Sequence, residues 1–431
     1  MSRYYSYLNS ARQILQQYNG EEPFSAFLKK YFSDDKKYGS KDRKQISHLC
    51  YCYFRLGKGT VNMSIEERVL IGLFLCSSEP NEMLQQLKPE WNDKFDLSIE
   101  EKRLLLQDPY PPFRPDENRG RNEGGLTLNV FPWVDELSDG VGHEKFNESF
   151  FIQPDLFLRL RPGKESIVKQ KLQEAGIEFK IINDDCMALS NSSKIDGVVE
   201  LNKEAVVQDY SSQRVGEFLI GGQTGTVRPG MQNYNSQRVG EFLVIGQTGT
   251  ARPGEPFRVW DCCAASGGKS IMAKDILDDI DLTVSDIRES ILINLRKRFE
   301  QAGIKKFKSY ITDLTNISQI PNSQFQLIIC DAPCTGSGTW SRTPEQLYYF
   351  DKNEIDRYAL LQKKIVSNTI PHLQAGGYFL YITCYVFKKE NEEVVEFIRK
   401  NFQLNLIKMD ILKGYDKKAD TMFAALFRKP L

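Results

Sequence analysis

Two cysteines stand just beyond short apolar runs, where a thiol could act on a bound ligand. Cys334 closes the segment FQLIICDAPC at 325–334, and Cys384 follows the run YFLYIT at 378–383. Short apolar runs bounded by Pro and Gly are typical of buried parallel strands, and open α/β sheets bind ligands beyond the carboxyl ends of such strands. A cysteine is more often a small buried hydrophobic residue. Two thiols at the ends of neighbouring strands, however, can reach one site as nucleophiles.

A second candidate site lies in the segment FRVWDCCAASGGKS at 257–270. Small residues and paired glycines at the start of a helix let the backbone approach a ligand closely. The ending Gly-Lys-Ser suggests a P-loop, but Cys263 occupies the position, five before Gly268, where a P-loop needs Gly. A G-x-G-x-x-G fingerprint is also absent. The segment therefore indicates a nucleotide-type site of another kind.

Three acids follow successive predicted strands. Asp286 comes after the run at 282–284, Asp313 after the run at 309–311, and Asp331 after the first run described above. An acid at the end of the second strand of a nucleotide-binding sheet commonly accepts hydrogen bonds from ribose hydroxyls. One such acid is as often a turn or a helix cap, but three in succession favour the functional interpretation.

A sheet must position these residues, and the C-terminal half of the sequence has the alternation of strands and helices that such a sheet requires. Strands and helices alternate over 257–400, which predicts a parallel, Rossmann-like sheet. The runs at 404–409 and 422–427 predict a final pair of strands.

The rest of the chain has a different composition, and we expect a multidomain protein. Apolar residues at helical spacing predict an all-α bundle over 1–108, and a Pro-rich stretch predicts a linker or long loop over 109–150. A small α+β module is predicted over 151–205, and the α/β domain over 206–431. The elements predicted in the module are strands at 155–161, 179–182, 187–189 and 198–201 and a helix at 164–175.

A tandem duplication interrupts the α/β domain at 212–254. Residues 212–230, SQRVGEFLIGGQTGTVRPG, recur as SQRVGEFLVIGQTGTARPG at 236–254. Two copies are too few for a solenoid, so we interpret one of them as extra surface structure. The Gly-Gln-Thr-Gly-Thr runs favour turns over phosphate-binding loops. The sequence does not decide which copy joins the core.

Composition narrows the classes of function. The formal net charge is zero, which argues against nonspecific coating of DNA, while a local cluster of basic residues at 29–44 leaves RNA open. No apolar run would span a bilayer, and the polar N-terminus lacks a signal-peptide core, so we expect a cytoplasmic protein. Nine cysteines without C-x-x-C, and three histidines, predict a reducing compartment and no metal site.

Four segments resemble motifs of the RsmB/Sun (NSUN)-type RNA 5-methylcytosine methyltransferases: VVQDYSSQ at 206–213, DCCAASGGKS at 261–270, DAPCTGSG at 331–338, and TCY with ENE at 383–392. The resemblance implies a NusB-like helical domain, a small RNA-binding α+β module and a class I methyltransferase domain. The chain departs from the motifs at Ser266 (usually Pro), Thr335 (usually Ser) and Tyr385 (usually Ser). We expect Tyr385 to crowd the pocket more than Ser would.

The resemblance also implies roles for individual residues. Cys384 would be the nucleophile that adds to C6 of cytosine, Cys334 would assist its release, and Asp331 would stabilise charge at N3. The cofactor would be S-adenosyl-L-methionine. The residues that would bind it are Cys262, Ala264, Ser266, Gly267, Gly268, Lys269, Asp286, Asp313 and Asp331.

The implied partner is RNA, with rRNA favoured over tRNA, and we expect a monomer without membrane or metal. Two alternatives stay open. Amino-group methyltransferases also carry an acid and Pro after the fourth strand, but usually as Asn/Asp-Pro-Pro-Tyr. A noncatalytic RNA-binding protein would agree with the duplication and with Tyr385.

Overall fold

The computed structural model describes residues 3–34, 37–107, 129–222, 242–244, 256–316 and 323–431. The chain divides into two compact units. The helical unit comprises Met1–Asp135, Gly142–Gln153 and Trp340–Asp351, and the sheet unit comprises Glu136–Val141, Pro154–Thr339 and Lys352–Leu431. Within the described residues, no helix combines the length and the apolar character that crossing a bilayer requires.

The helical unit confirms the predicted all-α N-terminal region. Its described helices are α1 Arg3–Gln17, α2 Phe24–Asp34, α3 Ser40–Arg55, α4 Ile65–Cys76, α5 Glu82–Leu87, α6 Pro89–Asn92, α7 Ile99–Gln107, α8 His143–Ser149 and α13 Pro344–Tyr349. A capping box starts α4, because Ser64 Oγ accepts the N–H of Glu67 while the Glu67 carboxylate accepts the N–H of Ser64. The helix α8 lies in the stretch predicted as a linker, so that stretch is not loop throughout.

The helix α13 belongs to the helical unit although it lies within the sequence range predicted for the α/β domain. Tyr348 of α13 accepts a hydrogen bond from Tyr53 of α3 at 3.0 Å. The buried guanidinium of Arg68 lies 4.7 Å from the ring centroid of Tyr53 and 5.1 Å from that of Tyr348, which is within cation–π range.

The small α+β module is an antiparallel sheet with one helix. Its elements are β1 Leu156–Leu160, α9 Glu165–Glu174, β2 Phe179–Asn183, β3 Cys186–Leu189 and β4 Ala205–Val207, in the strand order β2-β3-β1-β4. The strand predicted at 198–201 is wrong. The N–H groups of Val198 and Val199 both donate to the carbonyl of Ile195, and that of Glu204 donates to Glu200, so this backbone closes local turns instead of pairing in a sheet.

The large sheet confirms the predicted Rossmann-like fold. Its strands are β7 Phe257–Asp261, β8 Ile280–Asp286, β9 Lys308–Ile311, β10 Phe325–Asp331, β11 Leu373–Thr383, β12 Asn405–Leu412 and β13 Met422–Arg428. In the described part of the chain they lie in the order β12-β13-β11-β10-β7-β8-β9. The strands β7 to β11 pair in parallel, whereas β13 is antiparallel to both of its neighbours.

Helices cover the sheet, and its central strand is apolar on both faces. The helices are α10 Tyr210–Arg214, α11 Gly268–Leu277, α12 Glu289–Gln301, α14 Asn353–Thr369 and α15 Glu392–Phe402. Along β10, Leu327 and Ile329 belong to one buried hydrophobic cluster, and Ile328 and Cys330 belong to another. This alternation explains the continuous apolar run in the sequence, because a strand covered on both faces exposes neither.

The first copy of the duplication packs in the core. Its residues Val215, Phe218 and Leu219 are buried in the same cluster as Leu327. The strand β5, Ile220–Gly222, then pairs antiparallel with β6, Phe242–Val244, of the second copy. Both Gly-Gln-Thr-Gly-Thr runs lie almost wholly outside the described residues, so the turns predicted there stay predictions.

Candidate active site

Backbone contacts fix the loop between β7 and α11. Ala264 donates its N–H to the carbonyl of Ser285 at 2.9 Å, and Ala265, which has a φ of 45°, donates to Asp286 Oδ2 at 3.1 Å. Gly267 has a φ of 82°, and a Cβ there would lie 2.7 Å from the ring of Phe299. The start of α11 therefore lies close against α12, in a conformation and a space that favour Gly.

The same loop leaves room in front of the helix. A Cβ built on Gly268 would have no described heavy atom nearer than Arg298 Nη1 at 4.0 Å. The first N–H groups of a helix have no partner within it and attract anionic or polar ligand groups. Ser266, which replaces the usual Pro, accepts hydrogen bonds from Arg298 through its Oγ at 2.7 Å and its carbonyl at 3.0 Å, so a side-chain contact holds the turn.

Asp286 and Asp313 lie at the carboxyl ends of neighbouring strands, as predicted. Asp286 Oδ1 accepts the N–H of Arg288 at 3.0 Å and its Nε at 3.1 Å. Asp313 Oδ1 accepts the N–H and the hydroxyl of Thr315 at 2.9 and 2.8 Å, and these bonds lower the pKa of Asp313. Both acids are therefore held in place by donors of their own loops, and their role toward a ribose stays a prediction.

Asp261 is a buried acid that the sequence reasoning did not single out. It ends β7, accepts a hydrogen bond from the hydroxyl of Ser270, and has one carboxylate oxygen without a regular hydrogen bond. Burial raises its pKa to about 7, although the bond from Ser270 and the charge of Lys269 oppose the shift. The acidic side chain at the end of a strand was the available signal.

Three thiols converge beside Asp261. The Sγ atoms of Cys262, Cys263 and Cys330 all lie within 4.8 Å of one another. Cys262 and Cys330 are fully buried in a hydrophobic cluster, where they pack as small apolar side chains. Cys262 was predicted to bind the cofactor, but its side chain lies in the core, so only its backbone is placed to do so. Cys263 is the partly exposed cysteine of the loop.

Lys269 and Asp331 form an ion pair between the two candidate sites. Lys269 Nζ lies 2.6 Å from Asp331 Oδ2, and both side chains are largely buried. Burial disfavours the charge on Lys269, but Asp331 more than compensates, so the pKa of Lys269 is raised. The thiol of Cys384 is also close enough to act on this ammonium electrostatically. Lys269 therefore stays charged and brings positive potential to the thiols.

Cys334 and Cys384 meet, as the strand-end argument predicted. The strands β10 and β11 pair in parallel, and the two Sγ atoms lie 3.1 Å apart. The pKa of Cys334 is well above its usual value because its thiol bonds to Cys384 and is buried. The Cys334 thiol therefore keeps its proton at rest.

Backbone contacts hold the loop that carries Cys334. Ala332 donates its N–H to Ile382 at 2.9 Å, and Gly338 donates to the carbonyl of Cys384 at 3.1 Å. A Cβ on Gly338 would lie 1.9 Å from the carbonyl oxygen of Thr421. Only Gly fits at this crossing, so the position of the thiols depends on it.

Behind Cys334 lies a polar group to which the sequence reasoning gave no role. Glu390 is completely buried and accepts a hydrogen bond from Gln362 Nε2 at 2.8 Å. Tyr385, expected to crowd the pocket, is also completely buried, with its ring 4.8 Å from that of Phe387. The Glu-Asn-Glu motif was a signal for Glu390, but nothing in the local sequence indicates Gln362, which lies on α14.

Comparison with solved structures agrees with this fold. The crystal structure of PH0851 has a TM-score of 0.63 and 16% identity, covering 98% of this chain and 97% of that one. A methyltransferase homolog protein from Pyrococcus horikoshii has a TM-score of 0.50 and 19% identity, covering 66% of this chain and 90% of that one. The sheet unit thus has the Rossmann-like methyltransferase fold.

Sequence comparison is more specific about the C-terminal half. Residues 250–426 match the family described as 16S rRNA methyltransferase RsmB/F. Ribosomal RNA small subunit methyltransferase B from Enterobacter sp. (strain 638) is 28% identical over 149 residues, and that from Klebsiella pneumoniae (strain 342) is 29% identical over 138. These alignments cover 34% and 32% of this chain and only 35% and 32% of the relatives. The match to the RsmB/F methyltransferase family over residues 250–426 confirms the resemblance predicted from the motifs.

Proposed function

We propose that the protein is an S-adenosylmethionine-dependent methyltransferase that acts on C5 of a cytosine in ribosomal RNA. The observation that carries this proposal is the pair of thiols, with Cys334 Sγ and Cys384 Sγ 3.1 Å apart at the ends of neighbouring strands. Methylation of an exocyclic amino group has no need of two thiols, whereas C5 becomes nucleophilic only after a nucleophile adds to C6. The family match and the names of the relatives support rRNA as the substrate.

In this proposal, the loop at 261–270 binds S-adenosylmethionine. The open space at Gly268 lies before the N–H groups that begin α11, which suit the carboxylate of the amino-acid part. In this proposal, Asp286 and Asp313 accept hydrogen bonds from the nucleoside part. When bound, the cofactor supplies an electrophilic methyl group.

The first step is addition of the Cys384 thiolate to C6. Lys269 stays charged and interacts electrostatically with Cys384, so the proposed nucleophile acts beside a positive charge. Negative charge then develops on the pyrimidine at N3 and O2. In this proposal, the Lys269–Asp331 pair supplies the hydrogen bond to N3 that stabilises this charge.

The second step releases the product. Once C5 carries the methyl group, its hydrogen must leave as a proton so that the C5–C6 double bond can re-form and expel Cys384. Cys334, whose Sγ lies beside that of Cys384, is the group that receives the proton. A base inside a helical stem could not reach these thiols, so the target must be unpaired or flipped out.

A trapping experiment tests the proposal. The protein is mixed with S-adenosylmethionine and an rRNA fragment that contains 5-azacytidine, and covalent adducts are resolved on a denaturing gel. We expect an adduct with the wild type and none with Cys384→Ala. A methylated exocyclic nitrogen in the product, or an adduct that persists without Cys384, would contradict the assignment.

A further inference from the structure

A group of buried polar atoms lies behind Cys334 and has no part in the steps above. Glu390 precedes α15 and is completely buried. Its Oε2 accepts a hydrogen bond from Gln362 Nε2 at 2.8 Å, and the same Nε2 donates to the carbonyl of Pro333 at 3.0 Å. One amide therefore joins the Glu390 carboxyl group to the loop that carries Cys334.

The hydrogen bonding of this group is incomplete. Four of its buried side-chain atoms make no regular hydrogen bond: Thr335 Oγ1, Gln362 Oε1, Tyr385 OH and Glu390 Oε1. Buried polar atoms are nearly always partnered, so a cluster of exceptions requires an explanation. Tyr385 and the backbone of Thr335 still lie near enough to Glu390 to act on its pKa, so the cluster places a carboxyl group among donors through which a proton can be bound and passed on.

The backbone around the cluster is, by contrast, tightly held. The Tyr381 hydroxyl donates to the carbonyl of Glu390 at 2.8 Å, and Thr383 Oγ1 donates to Asn391 Oδ1 at 2.7 Å. Asn391 in turn donates to the carbonyl of Tyr385 at 3.2 Å. The position of the Glu390 carboxyl group is therefore fixed by the strand that carries Cys384, and its incomplete bonding does not come from a loose segment.

The electrostatics agree with a group that exchanges a proton near neutral pH. Burial raises the pKa of Glu390 to about 8, although donors from Tyr385, Gln362 and the backbone of Thr335 act to lower it. The titratable groups that act on it or feel its charge are Glu354 on α14, Cys334 in the loop, and Tyr381 and Tyr385 at the end of β11. Its charge also contributes to the raised pKa of Cys334.

The protonated thiol of Cys334 needs a nearby group that can take its proton. Because its thiol keeps its proton at rest, Sγ can accept the proton from C5 only if its own proton leaves. We propose that Glu390 receives the proton of Cys334 during product release, and this inference rests on the proposed function. Glu390 acts through Cys334 and does not itself contact the substrate.

The proposed step balances without another reactant. The C5–H bond breaks, and its electron pair forms the C5–C6 double bond. The C6–S bond breaks, and its electron pair stays on Cys384 as the thiolate. The C5 proton joins Cys334 Sγ while the former Cys334 proton joins the Glu390 carboxylate, from which it later passes to solvent.

Glu390→Gln tests the step, because it keeps the size and the acceptor for Gln362 but removes the base. In single turnovers on an unmodified rRNA fragment, we expect adduct formation at the wild-type rate and adduct decay at least tenfold slower. A covalent protein–RNA species should therefore accumulate. Glu393→Gln is the matched control, since Glu393 lies on the same turn but is exposed, and it should behave as the wild type does.

Two further readouts separate this role from a structural one. In the wild type, the decay rate should rise with pH and level off above about 8, as the Glu390 carboxyl group ionises. Glu390→Gln should lose this dependence, and Glu390→Asp should restore it in part. S-adenosylmethionine binding, measured by thermal shift, should stay unchanged in both variants.

The outcomes are distinguishable. A wild-type protein that forms no adduct on 5-azacytidine RNA would overturn the proposed function itself. An adduct in the wild type, together with normal decay in Glu390→Gln, would overturn only the role of Glu390. Equal slowing of formation and decay would also overturn it, because that pattern indicates a structural effect.

Discussion

The acids after β8 and β9 differ from the buried acid after β11 in how fully they are hydrogen-bonded. Asp286 and Asp313, on the proposed cofactor side, each accept at least two hydrogen bonds, including one from a backbone N–H nearby in sequence. On the thiol side, Glu390 is buried with an oxygen that lacks a regular hydrogen bond. The first arrangement holds groups in one state, as binding requires. The second leaves protons free to move, as chemistry requires.

The largest effect is expected from a substitution that removes the proposed nucleophile. Cys384→Ala should lower methylation by at least a thousandfold, because without addition to C6 the ring carbon stays unreactive. Incorporation of labelled methyl groups into an rRNA fragment measures it. Binding of S-adenosylmethionine should be unchanged, since that site lies on the other loop. Cys76→Ala, in the helical unit, is the control, and comparable activity in the two variants would contradict the assignment.

A second substitution disturbs the backbone crossing that holds the loop carrying Cys334. Gly338→Ala places a methyl group against the carbonyl oxygen of Thr421, 1.9 Å from an ideal Cβ, and we expect a loss of about 3 kcal/mol in the free energy of unfolding. Chemical denaturation followed by circular dichroism measures it. Gly268→Ala, where a Cβ would have no described heavy atom nearer than 4.0 Å and φ is not positive, is the control for the loss of a glycine. Equal stability of the two variants would show that the crossing is not tight.

A third prediction concerns Asp261, which ends β7. Its carboxylate has one buried oxygen that makes no regular hydrogen bond. Its pKa is about 7 in the folded state and near 4 when unfolded, so the folded state binds more protons between these values. Stability should therefore fall as pH rises from about 4 to 7, by about 3 kcal/mol. Asp261→Asn should flatten this part of the curve, measured by denaturation at several pH values. Parallel curves for both proteins would refute the shift.

The smallest effect concerns the open face of the cofactor loop. Gly268→Leu should weaken S-adenosylmethionine binding about tenfold, because its side chain fills the space before α11. Gly268→Ala should bind nearly as the wild type does, since a Cβ there has no described atom nearer than 4.0 Å. Calorimetric titration compares the two. If Leu and Ala bind equally, the ligand does not use this face.

The sequence predicted those parts of the site that lie directly after strands. The apolar runs before Asp331 and Cys384 define two parallel neighbours, and their adjacency brings the thiols together. The prediction failed at 198–201, where β-branched residues suggested a strand but local turns use the backbone hydrogen bonds. Propensity describes a residue's preference and does not reveal which partner its backbone finds.

Groups that arrive from distant parts of the chain could not be predicted. Gln362 reaches Glu390 from α14, and its helix shows only an ordinary amphipathic pattern. Likewise, α13 packs against α3 through Tyr348 and Tyr53, which are far apart in sequence. Such contacts depend on how the elements are assembled, and no local spacing records them.

The duplication has a consequence for the history of this gene. Ser212 and Ser236 begin the same eight residues, SQRVGEFL, and lie 236 − 212 = 24 positions apart. Recombination between the repeats would delete 24 codons in frame and join Ser211 to the second SQRVGEFL. That octapeptide would supply the same residues as the first copy supplies to α10 and the core. The longer reading frame can therefore become a shorter one in a single event that keeps the buried residues of the octapeptide and replaces Ile220, which packs beside them, with the Val of the second copy.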